Sequence, residues 1–204
     1  MDEFQRQRIF LRAWLHGKGY FTAIEAMNFA EPLHNGTRKD GVTPEFQHQV
    51  EIALHISVLP NLVDPEATIA TGILHDTPED KNVSHAELVR RFGHKIADST
   101  DRVNKYDPDG SPRDETRLYE EMALCPISSI VKGVDRGHNQ RTMGGVFSEE
   151  KMHSYLDFSD RRILPMLKKA RGHFPQQYAA YQNVRHLLTT QARLVRSCVL
   201  LKAA

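Results

Sequence analysis

Cysteine is scarce in this chain and long apolar runs are missing, and these two absences narrow its class first. The only cysteines, Cys125 and Cys198, lie far apart, which excludes a disulfide framework and any CxxC zinc pattern and suits a reducing compartment. No stretch approaches the roughly 20 apolar residues a membrane helix needs, and the opening MDEFQRQRIFLRAW is acidic at its start, without the apolar run of a signal peptide. Charge of one sign is lacking too: 27 Lys and Arg face 26 Asp and Glu. No global field therefore marks a nucleic-acid or membrane-surface partner, and any grip on anions must come from local clusters. The expectation is a cytoplasmic protein, and nothing in the composition decides for or against a homo-oligomer. With 40% apolar residues, 204 residues suffice for one domain with a sizeable core.

Alternating strand patterns and internal repeats are also missing, and helical spacing fills the chain. Apolar periodicity predicts helices over 2–16 and 20–31, then a basic, turn-rich loop, HNGTRKDGVT (34–43). Thr43-Pro44-Glu45 reads as an N-cap, first-turn proline and early acid, opening a helix to about Val58. Asp64-Pro65-Glu66 repeats the signature for a helix running into His75, which Pro78 cannot continue. Ser84 to Glu87 form a capping box for a short helix stopping at Gly93, followed by a helix over 94–105. The polar loop YDPDGSPRD (106–114) has room for a small β-hairpin, and further helices are expected at 114–123, 128–141, 149–171 (bent near Pro165) and 175–202. The reading is one all-α domain over 1–204, with a core at about 20–145 and C-terminal helices at about 149–202.

Within GILHDTPEDK (72–81), His75 and Asp76 are adjacent, and adjacent helical residues point about 100° apart. They can reach one ion at a helix end but cannot enclose it, so further ligands must come from other helices. His48, within an amphipathic pattern, and Asp135, where the apolar Ile130, Val131 and Val134 run into polar residues, are the candidates. Two nitrogens and two carboxylates suit an octahedral-leaning divalent ion such as Mn²⁺. Glu79 and Asp80, just past the helix end, are placed to deprotonate a water or protonate a leaving group. His55, His94, His138 and His153 read as packing or surface residues, with the helical angle of His138 turning it away from the ion. Tyr155, Tyr178 and Tyr181 also read as packing.

Four segments carry a family resemblance, in order: RKDGVTPEFQH (38–48), ATIATGILHDTPED (67–80), LVRRFGHKIADSTDRVNKY (88–106) and IVKGVDRGHNQRT (130–142). They resemble the HD-domain hydrolase part of the Rel/Spo homologues, which remove the 3′-pyrophosphate from ppGpp and pppGpp. The match spans about 20–145, and nothing resembles that family's synthetase or regulatory domains, so the chain is similar to its small, hydrolase-only members. The resemblance implies an HD-domain helical bundle, with His48, His75, Asp76 and Asp135 as Mn²⁺ ligands and Glu79 and Asp80 activating the attacking water. It further implies that Arg38 stacks on the guanine with Lys39 close by, and that Asn139 contacts the sugar-phosphate portion. Among Lys132, Arg136 and Arg141, one is expected to reach a phosphate, with Arg141 counted as substrate-binding, and at least one to pair with carboxylates. Two departures fall in the base-recognition loop: Asp40 stands where the family usually has serine, and one extra residue separates Gly41 from Pro44.

The expected reaction is hydrolysis of ppGpp or pppGpp to GDP or GTP and pyrophosphate. The alternative is an HD-type nucleotidase or nucleoside triphosphohydrolase, which would share the metal set. A non-catalytic binding protein would require a lost ligand, and all four are present.

Overall fold

Two helices are buried almost all round, and the rest of the fold is arranged to cover them. In the computed structural model, which describes residues 1–107 and 109–202, these are α4 (Pro65–Leu74), buried from Ala67 to Leu74, and α8 (Pro126–Thr142), buried from Ile127 to His138. The helices α1 (Glu3–Lys18), α2 (Phe21–Ala30) and α3 (Gln47–Ser57) precede α4, with α3 packed on both α4 and α8. The short α5 (Thr77–Lys81) follows it, then α6 (His85–Asp101) and α7 (Glu115–Ala123). Beyond α8 come α9 (Glu149–Phe158), α10 (Leu164–His173) and α11 (Tyr178–Lys202), with a π-helical turn at Ser159–Ile163 producing the break expected near Pro165. The fold is all-α, and no helix among the described residues is long and apolar enough to cross a membrane.

Several local signals act as read. The Asp64 carboxylate caps α4 by accepting from the Ala67 N–H (3.0 Å), and Ser84 Oγ accepts from the Glu87 N–H (3.2 Å). Gly93, at φ +76°, divides α6 into two helical stretches. The 106–113 loop closes as a one-bridge hairpin, Tyr106 opposite Pro112, with the Arg113 N–H donating to Lys105 O (2.9 Å). Pro108, in that expected hairpin, lies outside the described residues.

Two expectations are corrected. Thr43 does not cap a helix; α3 starts at Gln47. Asp40 captures Thr43 first, its carboxylate accepting from the Val42 and Thr43 N–H groups (3.0 and 2.9 Å) and from the Thr43 hydroxyl. This Asx turn, with Gly41 at φ +75°, absorbs the extra residue of the loop. Pro78 does not lead into a simple turn either. It sits in the first turn of α5, where a proline costs nothing because that N–H has no intrahelical partner. Glu79 and Asp80 therefore stand on a helix and not on a flexible corner.

Tyr181 is fully buried and exchanges a hydrogen bond with Ser129 Oγ (2.8 Å), and Gln177 Nε2 donates to its hydroxyl (3.0 Å). Burial pushes this phenol up to about 12, so it packs as expected and stays neutral. Tyr178 is half-exposed beside Arg171. A Cβ at Gly133 would lie 2.7 Å from Val184 Cγ1 and 3.0 Å from Leu167 Cδ2, so α8 meets α10 and α11 only because that Cα is bare. Gly133→Val is expected to destabilise the protein by about 1–3 kcal/mol, read as a lower urea midpoint; an unchanged midpoint would refute this close approach.

Candidate metal centre and nucleotide cavity

The four members of the site are delivered by three separate helices. His48 lies in the first turn of α3, His75 and Asp76 at the end of α4, and Asp135 in the middle of α8. Their polar atoms converge: His75 Nε2 is 3.0 Å from Asp76 Oδ2 and 3.7 Å from Asp135 Oδ1, and His48 Nε2 is 3.6 and 3.4 Å from the same two oxygens. Among the described residues, His48, His75 and Asp76 form a group whose ligand atoms lie close enough to hold a cation. The residues fit a divalent ion on a direct observation. His75 Nδ1 donates to the Gly72 carbonyl (2.8 Å), which leaves its buried Nε2 aimed at the carboxylates without a hydrogen-bond partner.

The electrostatics agree. Burial opposes charge on His75, but Asp76 and Asp135 outweigh it and raise it to about 10. Burial dominates at His48 and lowers it to about 4. The Asp76 and Asp135 carboxyls resist burial through the adjacent cations and imidazoles and are held far below the usual carboxylate range, Asp135 chiefly by Lys132 (3.4 Å). A cluster holding two ionised carboxylates beside a proton-retaining imidazole is a place where a dication can take the proton's position.

The group opens on a cavity of about 540 Å³ lined by Arg38, Lys39, Asp76, Asp80, Asn139 and Arg141. Arg38 Nη2 donates to Asn139 Oδ1 (3.0 Å), and Asn139 Nδ2 donates to Asp135 Oδ1 (2.6 Å), so the loop before α3 is wired to the metal group through α8. Lys39 Nζ lies 5.6 Å from the Phe147 ring centre. Arg141 lines the cavity but pairs with Glu51. Lys132 is buried against Asp135, while the Arg136 guanidinium stacks 3.7 Å from Tyr155 and 4.8 Å from Phe158, which offsets its burial by cation–π contact.

Glu79 and Asp80 diverge. Glu79 pairs with Lys105 (2.9 Å), whereas Asp80 faces the cavity and, among the described residues, enters no ion pair. Burial, then the charges of Asp76 and Glu79, raise the Asp80 carboxyl above its ordinary value.

Sequence reading missed four groups. His138 is not a bland residue: it is buried, and its Nδ1 lies 2.9 Å from His48 Nδ1. It does turn away from the ion's position, as expected, but onto the back of a ligand. Glu51 was detectable, since it lies three residues after His48 on the same helix face. Glu45 joins His34 (3.0 Å) to Lys81 (2.8 Å), tying the basic loop to α5, a contact across 36 residues that no local pattern encodes. Met143, Val146 and Phe147 form one cavity wall, although the family resemblance fades at 145.

Residues 26–123 match the family model described as HD domain. Over 137 residues the chain is 31% identical to a GTP pyrophosphokinase of Myxococcus xanthus, covering 62% of this chain and 18% of that protein. Over 181 residues it is 27% identical to a guanosine-3′,5′-bis(diphosphate) 3′-pyrophosphohydrolase of Borreliella burgdorferi, covering 82% of this chain and 25% of that one. The chain thus spans a quarter or less of the length of these two curated relatives. The solved structure of a metazoan orthologue of SpoT, described as hydrolysing ppGpp, matches with a TM-score of 0.66 at 21% identity, over 85% of this chain and 94% of that one. That likeness is one of fold. The helical frame and the adjacent His75 and Asp76 accord with the match of residues 26–123 to the HD-domain model.

Proposed function

We propose that the chain is a Mn²⁺-dependent hydrolase that removes the 3′-pyrophosphate of ppGpp and pppGpp, working as one domain over residues 1–204. The observation that carries this reading is the shared cavity: His48 and Asp76 of the metal group, Asp80, and the Arg38–Asn139 pair all border one space, with His75 and Asp135 set behind them against the same two ligands. The similarity to proteins named for making or hydrolysing such nucleotides supports it. The mixed nitrogen and oxygen donors favour Mn²⁺ over a thiolate-seeking ion.

His48, His75, Asp76 and Asp135 would hold a divalent ion, which would supply Lewis acidity there. Asp80 accepts the proton of the attacking water, for which its raised pKa makes it a better base than an ordinary carboxylate. Water oxygen bonds to phosphorus, the bond from that phosphorus to the ribose 3′ oxygen breaks, and the proton passes to the 3′ oxygen. The products are GDP or GTP and pyrophosphate. Glu79 holds Lys105 outside the cavity lining, while Arg38 and Lys39 grip the nucleoside end.

The test is a comparison of ppGpp with deoxynucleoside mono- and triphosphates, each with Mn²⁺, following GDP, pyrophosphate, phosphate and triphosphate release. The proposal expects ppGpp to have the highest kcat/KM. Faster release of phosphate or triphosphate from the deoxynucleotides would favour the nucleotidase reading instead. Arg38→Ala is expected to raise KM for ppGpp more than it lowers kcat, because this residue touches the loop and α8 but not the metal group.

A further inference from the structure

His75 and His48 solve the same problem by different means. His75, at the end of α4, directs Nδ1 to the carbonyl three residues earlier. His48 sits in the first turn of α3, and its Nδ1 points across to α8, where His138 Nδ1 lies 2.9 Å away. His138 Nε2 in turn lies 2.9 Å from Glu51 Oε2. Glu51 is itself fixed from three sides: Gln47 Nε2 donates to Oε1 (2.8 Å), Gln7 Nε2 reaches the same atom from α1 (3.4 Å), and Arg141 pairs with Oε2.

The proton positions follow from donor and acceptor capacity. An ionised carboxylate only accepts, so the hydrogen between Glu51 and His138 belongs to His138 Nε2. A neutral imidazole protonated there offers a lone pair at Nδ1, so the hydrogen between the two rings belongs to His48 Nδ1. His48 Nε2 is then a bare lone pair facing Asp76 and Asp135. The side chains of His48, His138 and Glu51 are 3%, 7% and 13% exposed, so solvent does not replace any link.

We propose that Glu51 and His138 are positioning residues that lock His48 into the tautomer and ring orientation in which Nε2 binds the metal. The inference rests on the metal reading above and deepens it. Glu51 acts through two imidazoles in series, so the ligand's basicity and aim depend on a carboxylate that never touches the ion.

Two measurements on the full chain test this without relying on turnover: Mn²⁺ binding without substrate, from the spin-resonance signal of free Mn²⁺, and long-range ¹H–¹⁵N spectra of labelled histidines in the metal-free protein. His138→Leu is expected to raise the Mn²⁺ Kd about 10–100-fold and Glu51→Ala to raise it less. His138→Asn, whose amide oxygen can accept from His48 Nδ1, is expected to recover most of the affinity. The wild-type spectrum should show His48 protonated at Nδ1, and His138→Leu a mixture of tautomers. A tie that merely holds α3 to α8 would lower the melting temperature in both His138 variants and leave Kd unchanged, which would overturn the proposal. Should His138→Leu not fold, a wild-type His48 protonated at Nε2 would overturn it equally. If the wild type takes up no more Mn²⁺ than Asp76→Ala, the metal reading itself falls and this inference with it; tight Mn²⁺ binding that ignores position 138 overturns this inference alone.

Discussion

Asp76→Ala is expected to lose Mn²⁺ binding and, with it, ppGpp hydrolysis by on the order of 10³-fold or more, because Lewis-acid assistance supplies several kcal/mol of transition-state stabilisation and each 1.36 kcal/mol is tenfold. Asp76 Oδ2 lies within 3.6 Å of both imidazoles, so its loss removes a ligand and the charge that holds the cluster together. The metal-free protein reports the same geometry through pH. His75 is raised from 6.5 to about 10, with Asp76 the chief charge opposing its burial. A group raised on folding contributes stability that is complete below its unfolded pKa and is lost as pH rises through the folded one. In a chelator, the wild-type melting temperature is therefore expected to fall between pH 6.5 and 10, with a smaller fall in Asp76→Ala. Saturating Mn²⁺ is expected to reverse the slope in the wild type, because the ion displaces the His75 proton and binds more tightly as protons become scarce. Full activity in Asp76→Ala would sink the metal assignment.

Asp80→Asn carries the second large effect. Loss of a general base typically costs about 10²–10⁴-fold, and the fall is expected in kcat, with KM and the Mn²⁺ Kd close to wild type. Glu79→Gln is expected to cost less, because Glu79 is occupied by Lys105 and does not border the cavity. The two neighbouring carboxylates are thus separated by their surroundings, one paired with Lys105 and one facing the cavity beside the negative charges of Asp76 and Glu79. The sign for catalysis follows from the raised Asp80 pKa: the base is lost by protonation at a higher pH than an ordinary aspartate. With Mn²⁺ saturating, the acid limb of kcat/KM should lie above pH 3.8 and vanish in Asp80→Asn. Equal losses in the two variants would mean that they share the proton.

Much of this was legible in the chain. Asp64 and Ser84 cap helices because a cap is a bond between residues three apart, and helical periodicity needs no partner to be seen. The same locality explains the two failures. Thr43 and Pro78 obey rules that allow more than one outcome, and a neighbour chose between them: Asp40 took Thr43 into a turn, and the end of α4 let Pro78 begin α5.

The metal group divides along the same line. Residue types and the family motifs named His48, His75, Asp76 and Asp135, since the chemistry restricts which side chains can serve. The convergence of both imidazoles on Asp76 and Asp135 within 3.7 Å, the division of labour between Glu79 and Asp80, and the Glu51–His138 support behind His48 arise only when α3, α4 and α8 pack together. Capping and periodicity act over a few residues and are written in order along the chain. Burial, desolvation and hydrogen bonds spanning 87 to 101 residues depend on what the fold brings alongside, so they belong to the packed structure.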